Sequence, residues 1–590
     1  MQTPSIPRTG AAVRALGLLV GLAGSAYGQS AQFTDQTAAA GLTCSHASDP
    51  ASSLEFMSGG GAVIDYNRDG WQDLFVFGGL GNPDKLFRNN GDGTFTDVAA
   101  SAGIARNQRG KAVAVGDINR DGWPDLFTTV EAGTPGYGLN SLWLNNGDGT
   151  FTDAAAAWGV AGYSSPTSGG GWGASLGDYN LDGRLDLAIG EWLSPSSIRN
   201  RLYRNSGTNF VNATNTSGIG SVLLGSKGFS PIFCDMNGDR YPELLWVSDF
   251  GASKYFINNT NGTFTEATAA SGTGRDLAGM GTTIADFNND GRPDWFVTAI
   301  YLASAPVTSP GNMLYINQGS HHFVESGVAW GVNNGDWGWG SVSADFNLDG
   351  QVDLAHTNGY PTGATFTDDP SRVFMNSGDT CSQVAPTCGI THTGQGRGMI
   401  NFDYDNDGDQ DVVIFTNGGP LVLYRNDTPR AGNHFLRVLL SARGTGNAPD
   451  GIGAHVVVTT PLGSRHFWVN ANTNYVSQSE TSAHFGLGAA TFANEVRVDW
   501  PDGTQSTWTN VGLDQSVRLK ARPADFDDDG AITVSDLFAF LDAWFSQFGT
   551  DGPPYPAPSA DFDLSGPALG GVTVADLFGF LDAWFAGFGT

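Results

Sequence analysis

Cysteine and positive charge are both scarce in this chain. Four cysteines in 590 residues are too few for a disulfide framework of the small-domain kind. Lys and Arg number 29 against 59 Asp and Glu, a formal charge of −30, which excludes a nucleic acid as partner because phosphate binding needs basic surface. Long apolar runs are missing as well. The stretch from Ala15 to Ala23 falls well short of the roughly 20 residues that span a bilayer. With Arg8 and Arg14 before it and the small residues Ala26 and Gly28 after it, it reads as a secretory signal over 1–28, so an exported protein is expected. No nucleophile elbow, zinc signature or cofactor fingerprint occurs. The acid excess is nevertheless not that of a disordered tail, since 40% hydrophobic and 11% aromatic content is enough to build cores.

What the chain has in abundance is one acidic loop, repeated. DYNRDGWQD at Asp65 recurs as DINRDGWPD at Asp117, DYNLDGRLD at Asp178, DMNGDRYPE at Asp235, DFNNDGRPD at Asp286, DFNLDGQVD at Asp345 and DYDNDGDQD at Asp403. The intervals are 51 to 61 residues. A Gly-rich apolar run precedes each loop, and a run such as DLFVFG or DLFTTV follows most of them. A third run with an Asn-Gly or Asp-Gly turn comes next, as in KLFRNNGDGTF, marking hairpins. Each unit is therefore four antiparallel strands, and seven units predict a seven-bladed β-propeller. An open solenoid is the competing architecture. The ends favour a ring: the chain begins with a closing segment, FTDQTAAAGL at Phe33, and the seventh loop lacks one after LVLYRND.

The recurrent acids predict a metal. Position one is Asp, three is Asn or Asp, five is Asp and nine is Asp or Glu in every copy. Such a set of oxygens suits a hard cation, and clustered carboxylates repel one another without one. The acid at nine is read as a ligand because a simple turn has no need of it. The pattern differs from an EF-hand, which places its bidentate acid at position twelve and continues into a helix. It resembles the FG-GAP/VCBS repeats of integrin α-subunit propellers and their bacterial relatives. That resemblance implies several structural Ca²⁺ ions held by Asp65, Asn67, Asp69, Asp73; Asp117, Asn119, Asp121, Asp125; Asp178, Asn180, Asp182, Asp186; Asp235, Asn237, Asp239, Glu243; Asp286, Asn288, Asp290, Asp294; Asp345, Asn347, Asp349, Asp353; and Asp403, Asp405, Asp407, Asp411. Loop four carries Arg240 where the others have Gly. A non-Gly residue at positive φ costs about 1 kcal/mol, and its guanidinium opposes a cation, so this site is expected to be weak or empty.

After the ring, alternating apolar and polar residues from NHFLRVLL onward predict a small β-sandwich-like domain. GIGAHV, YVSQSE, HFGLG and VDWPDG resemble the ASPIC/UnbV domain that follows such repeats in the cartilage acidic protein-like family. His455, His466 and His484 stand singly along strands and read as surface or core histidines; Ser479 and Glu480 have no motif placing them beside a base. Cys381 and Cys388 are spaced to close a small loop or to remain thiols, Cys234 reads as a buried thiol, and Cys44 has no evident partner.

The C-terminus is an internal duplication, ADFDDDGAITVSDLFAFLDAWF and ADFDLSGPALGGVTVADLFGFLDAWF. Asp525, Asp527, Asp529 and Asp536 have EF-hand-like spacing, with Gly530 at six. The second copy keeps Asp561, Asp563 and Asp576 but has Ser565 at position five and four extra residues. Each loop enters an aromatic-rich helical stripe. The duplicated loop and helix resemble a dockerin, which implies calcium and a cohesin-like or other surface protein as partner. The expected organisation is an all-β main body with the propeller at 29–430, the ASPIC/UnbV-like domain at 431–520 and an α-helical dockerin-like module at 521–590. The expected function is an exported, calcium-binding, non-catalytic adhesion or ligand-binding scaffold with an unknown protein or glycan ligand. The alternative is a polysaccharide lyase or hydrolase working in the propeller channel.

Overall fold

The computed structural model describes residues 31–49, 52–131, 139–162, 171–192, 200–303, 309–361, 366–547 and 574–587. The secretory signal, Asp561, Asp563 and the Pro-rich linker of the C-terminal module lie outside the described residues. The body is all-β and propeller-like. Seven four-stranded antiparallel sheets follow one another along the chain, and each acidic loop joins the innermost strand of its sheet to the second, as Gly61–Ile64 is joined to Asp73–Val76. The innermost strands neighbour one another in sequence order, and that of the seventh sheet, Gly396–Phe402, lies beside that of the first. The strand Phe33–Asp35 supplies the outer edge of the seventh sheet by pairing with Val422–Asn426. The two ends of a 394-residue span are thereby hydrogen-bonded, which a solenoid cannot do.

A ring of asparagines fastens neighbouring sheets. The third strand of every sheet ends in Asn, at 89, 145, 205, 258, 317, 376 and 426. Each side-chain amide donates to the carbonyl of the second loop residue of the preceding sheet. Asn145 reaches Tyr66, Asn205 Ile118, Asn258 Tyr179, Asn317 Met236, Asn376 Phe287 and Asn426 Phe346, all at 2.8 to 2.9 Å. Asn89 completes the circuit by donating to Tyr404 of the seventh loop at 2.7 Å. All seven are buried, so losing one amide leaves buried carbonyls without a donor, at about 1–3 kcal/mol. Asn145→Ala is accordingly expected to lower the unfolding free energy by that amount, read as a lower urea midpoint at an unchanged m-value, whereas Asn146→Ala, one residue on and exposed, is expected to leave the midpoint in place. Equal midpoints for the two variants would refute the clamp.

The module after the ring is a two-sheet sandwich. One sheet orders Ala483–Gly486, Phe435–Ser441 and Gln515–Lys520, the last pair parallel. The other orders Gly463–Trp468, His455–Thr460, Ala493–Asp499 and Gln505–Val511. Leu436, Val438, Val456, Val496, Val498 and Trp500 form its core. The helices Val534–Gln547 and Val574–Gly587 pack on each other, with Phe540 and Phe580 stacked at 4.0 Å between ring centroids.

Cys381 and Cys388 are free thiols, as are Cys44 and Cys234. Cys381 packs with the core between sheets five and six, and Cys388 with that between sheets six and seven. The eight-residue stretch that suggested a bridge places its two ends in different cores.

Candidate metal loops and the plugged centre of the ring

All seven loops share one backbone path. Positions four and six have positive φ in every copy, for example 57° at Arg68 and 83° at Gly70. The N–H of position six donates to the Asp at position one at 2.7 to 3.1 Å throughout. Loop four reaches the same path with the residue types exchanged, Gly238 at 81° and Arg240 at 79°. Its guanidinium turns away from the loop to donate to the Pro501 carbonyl of the sandwich at 3.1 Å. The C-terminal loop repeats the device, with Asp528 at 59° and Gly530 at 90°, and with the Gly530 N–H on Asp525.

The acid at position nine has work of its own. Asp73 accepts the N–H of Tyr66 on one oxygen and that of Asn89, a clamp residue, on the other, at 3.2 and 2.8 Å. Asp125, Asp186, Asp294, Asp353 and Asp411 repeat both bonds, as does Glu243 with a longer second one. The expectation that a turn has no use for an acid here is therefore corrected: this carboxylate ties the loop to its sheet and to the interblade clamp whether or not it also binds an ion.

The remaining donors fit a hard cation. Asp65 Oδ1, Asp117 Oδ1, Asn180 Oδ1 and Asp405 Oδ1 are buried without a hydrogen-bond partner. Oxygens of Asp403, Asp405 and Asp411 lie within 4.8 Å of one another, as do those of Asp525, Asp527 and Asp529. Burial, reinforced by neighbouring carboxylates, pushes Asp65 up to about 6 and Asp117 to about 7. Burial also raises Asp178 to about 7, Asp286 to about 6 and Glu243 to about 8. Loop four differs: Asp235 Oδ1 accepts three backbone N–H groups, and Asn237, Asp239 and Arg240 are exposed. In the C-terminal module Asp536 opens the first helix and accepts the N–H groups of Asp527 and Thr533 at 3.2 and 2.7 Å. Asp576 is buried at the start of the second helix.

The sandwich sits over this loop face and sends one segment into the ring. Arg437, fully buried, bridges Glu480 at 2.5 Å and Asn406 of loop seven at 2.8 Å. His484 bonds the Gly408 carbonyl, Arg120 the Thr445 carbonyl, and the Asp117 N–H the carboxylate of Asp450. His455 and His466 hydrogen-bond each other at 3.1 Å, with Asp499 at 3.4 Å from the first.

Residues 470–480, NANTNYVSQSE, run through the centre of the ring and bond the innermost strands of all seven sheets. Gln478 pairs with Gly61 and Val63 of sheet one, and its side chain takes both backbone groups of Val115 in sheet two. Ala471 accepts from Leu176 in sheet three, and the Asn472 side chain takes both backbone groups of Phe233 in sheet four. The Asn474 carbonyl accepts from Thr282 and Ser341 in sheets five and six, and Ser479 accepts from Asn401 in sheet seven. Tyr475 is wholly buried against Phe229 and Trp339, its hydroxyl donating to the Met57 carbonyl from the opposite side. Close approach explains two glycines beside the plug: a Cβ at Gly60, just before the first inner strand, would lie 2.6 Å from the Val476 carbonyl oxygen, and one at Gly398, in the seventh, would lie 1.9 Å from Ser477 Oγ. Neither the plug nor the asparagine clamp is legible as a site in sequence. The Asn that ends every third strand was the available signal for the clamp.

Family models match this arrangement in two places. An FG-GAP-like repeat matches residues 65–128, 130–189 and 235–297, and the ASPIC and UnbV model matches 444–525. The chain carries FG-GAP-like repeats and an ASPIC and UnbV domain. It is homologous to cartilage acidic protein 1, being 25% identical to the human protein over 458 residues, 75% of this chain and 50% of that one. The chain thus spans about half the length of that relative. Chicken integrin alpha-6 is 30% identical over 146 residues, 21% of this chain and 12% of its own. Among solved structures, the GH74 enzyme of Niastella koreensis aligns with a TM-score of 0.39 and 15% identity, covering 78% of this chain and 68% of that one. Among the described residues two acidic clusters could hold a metal, Asp403, Asp405 and Asp411 of loop seven and Asp525, Asp527 and Asp529 of the C-terminal loop. No helix among the described residues is long and apolar enough to cross a membrane.

Proposed function

We propose that the chain is an exported, non-catalytic binding scaffold: a seven-bladed propeller stabilised by calcium at its acidic loops and tethered through its helical C-terminus. The observation that carries this reading is the plug. An enzyme working in the propeller channel needs that channel open, and here residues 470–480 fill it, with Tyr475 of this segment bonded to the Met57 carbonyl on the opposite side. A hydrolase would also need free carboxyl groups. The buried pair Glu55 and Glu131 is instead ion-paired with Arg109 and Lys111 at 2.8 to 3.7 Å, which favours a structural role. Incubation with a panel of plant and bacterial polysaccharides is expected to release no reducing ends. Release that disappears in Glu55→Gln or Glu131→Gln would overturn the scaffold reading.

Calcium suits the loops because Asp and Asn oxygens converge on them and several remain unsatisfied. Loop four, whose Asp235 is already saturated by backbone donors, is the weak member. Asp117→Asn is therefore expected to reduce the calcium stoichiometry in titration calorimetry by one site, and Asp235→Asn to leave it unchanged. Equal losses would refute the distinction. For the tether, Phe538 and Phe545 are 62% and 73% exposed, and their counterparts in the second helix, Phe578 and Phe585, are 62% and 70% exposed. This apolar face supports docking to a cohesin-like or other surface protein. Deleting 523–590 is expected to abolish retention of the protein on envelopes of the producing cells. Undiminished retention would sink the tether.

A further inference from the structure

The inner strands present one equivalent docking position each, two residues before the first Asp of the loop: Val63, Val115, Leu176, Phe233, Ile284, Ser343 and Asn401. The plug bonds five of them. Two, Val115 and Phe233, are each satisfied by a side-chain carboxamide that accepts from the N–H and donates to the carbonyl at 2.8 to 3.1 Å. Ile284 and Ser343 receive no such bond from the described residues. Instead they line a cavity of about 100 Å³ between the plug and sheets five to seven. Four buried polar atoms without a hydrogen-bond partner belong to residues lining the same cavity: Ser341 Oγ, Thr473 Oγ1, Asn474 Oδ1 and His484 Nδ1. Ser341 and Thr473 are completely buried. Glu480, the acid in the lining, is bound to Arg437 and Gln410, so the site offers neutral donors and acceptors. Half-buried Asn401, Asn470, Phe467 and His484 border it, which leaves solvent a way in.

We propose that this cavity is a binding site for a small neutral molecule carrying a hydrogen-bond donor and acceptor side by side, an amide or a vicinal diol. The chain's own Gln478 and Asn472 show the recognition mode at the equivalent positions of sheets two and four, and the unpartnered side-chain atoms supply the remaining contacts. At about 100 Å³ the cavity well exceeds the roughly 10–15 Å³ that a single water needs, and it has room for a small organic molecule. Among the described residues no lysine or arginine lines the cavity, so neutral ligands are favoured over carboxylates and phosphates.

The test uses the full chain with calcium. Titration with acetamide and with ethylene glycol separates the two ligand sources, and sodium acetate and inorganic phosphate serve as controls. Saturable binding of acetamide or the glycol is expected, with Kd on the order of millimolar for so small a ligand, and no binding of either anion. Ser343→Leu, which fills the cavity, is expected to weaken it at least about tenfold. Should that variant fail to fold, a soaked crystal of the wild type decides: one continuous acetamide bonded to Ile284 or Ser343 supports the proposal. Separate waters only, or equal binding of acetate, would overturn it.

Discussion

Chelating calcium from the full chain at pH 8 is expected to lower Tm by more than about 10 °C. An ion at 1,000 times its Kd stabilises the native state by about 4 kcal/mol per site; a domain of about 150–250 residues moves about 2–4 °C per kcal/mol and this longer body less, so the shift requires several filled loops. The pH dependence adds a second signature. In the metal-free native state Asp65 and Asp286 titrate at about 6, and Asp117 and Asp178 at about 7, raised from 3.8 chiefly by burial. Between 3.8 and those values the native chain binds more protons than the unfolded one. The stability these groups contribute is therefore fully present below about pH 4 and is lost as pH rises through 6 to 7. Chelated protein is expected to melt higher at pH 5 than at pH 8, and calcium, by replacing the protons, to abolish that slope. Melting curves that coincide with and without chelator at pH 8 would eliminate the metal reading of the loops.

The second large effect concerns the plug. Replacing 471–479 by a Gly-Ser linker, or ending the chain at 430, is expected to yield no cooperatively folded ring. The segment supplies hydrogen bonds to all seven innermost strands and fills the space those strands enclose with Tyr475 and Val476. Without it, buried backbone groups around the axis are unpaired, each at about 1–3 kcal/mol, against a total stability on the order of 10 kcal/mol. A milder version is Tyr475→Ala, expected to cost about 3–5 kcal/mol as other aromatic truncations in cores do. It is expected to destabilise ring and sandwich in one transition. A ring fragment 29–430 with sharp, calcium-dependent unfolding would refute the dependence.

Much of the ring was legible because its information is local and repeated. Seven loops in register with flanking apolar runs fix strand order. A closing segment without a unit of its own at Phe33 pointed to the bond with Val422–Asn426 that the structure contains. Positive φ at position six followed from Gly in six copies. Loop four shows the limit of that inference, since its Gly stands at 238 instead and the same path is kept with Arg240 strained. The spacing of Cys381 and Cys388 left bridge and free thiols equally open, because eight residues of chain do not reveal that the two thiols face different cores.

The sequence by itself determined the repeat, the strand pattern and the acid-rich loops, since periodicity and turn chemistry act over a few neighbouring residues. Only the tertiary structure decided what the acid at position nine ties together, which carbonyl each asparagine reaches, and that NANTNYVSQSE occupies the axis. Those contacts join residues as far apart as Asn89 and Tyr404, or Val115 and Gln478. No local pattern specifies them, because they form only when the sheets have closed and their inward-facing backbone groups must find partners away from water.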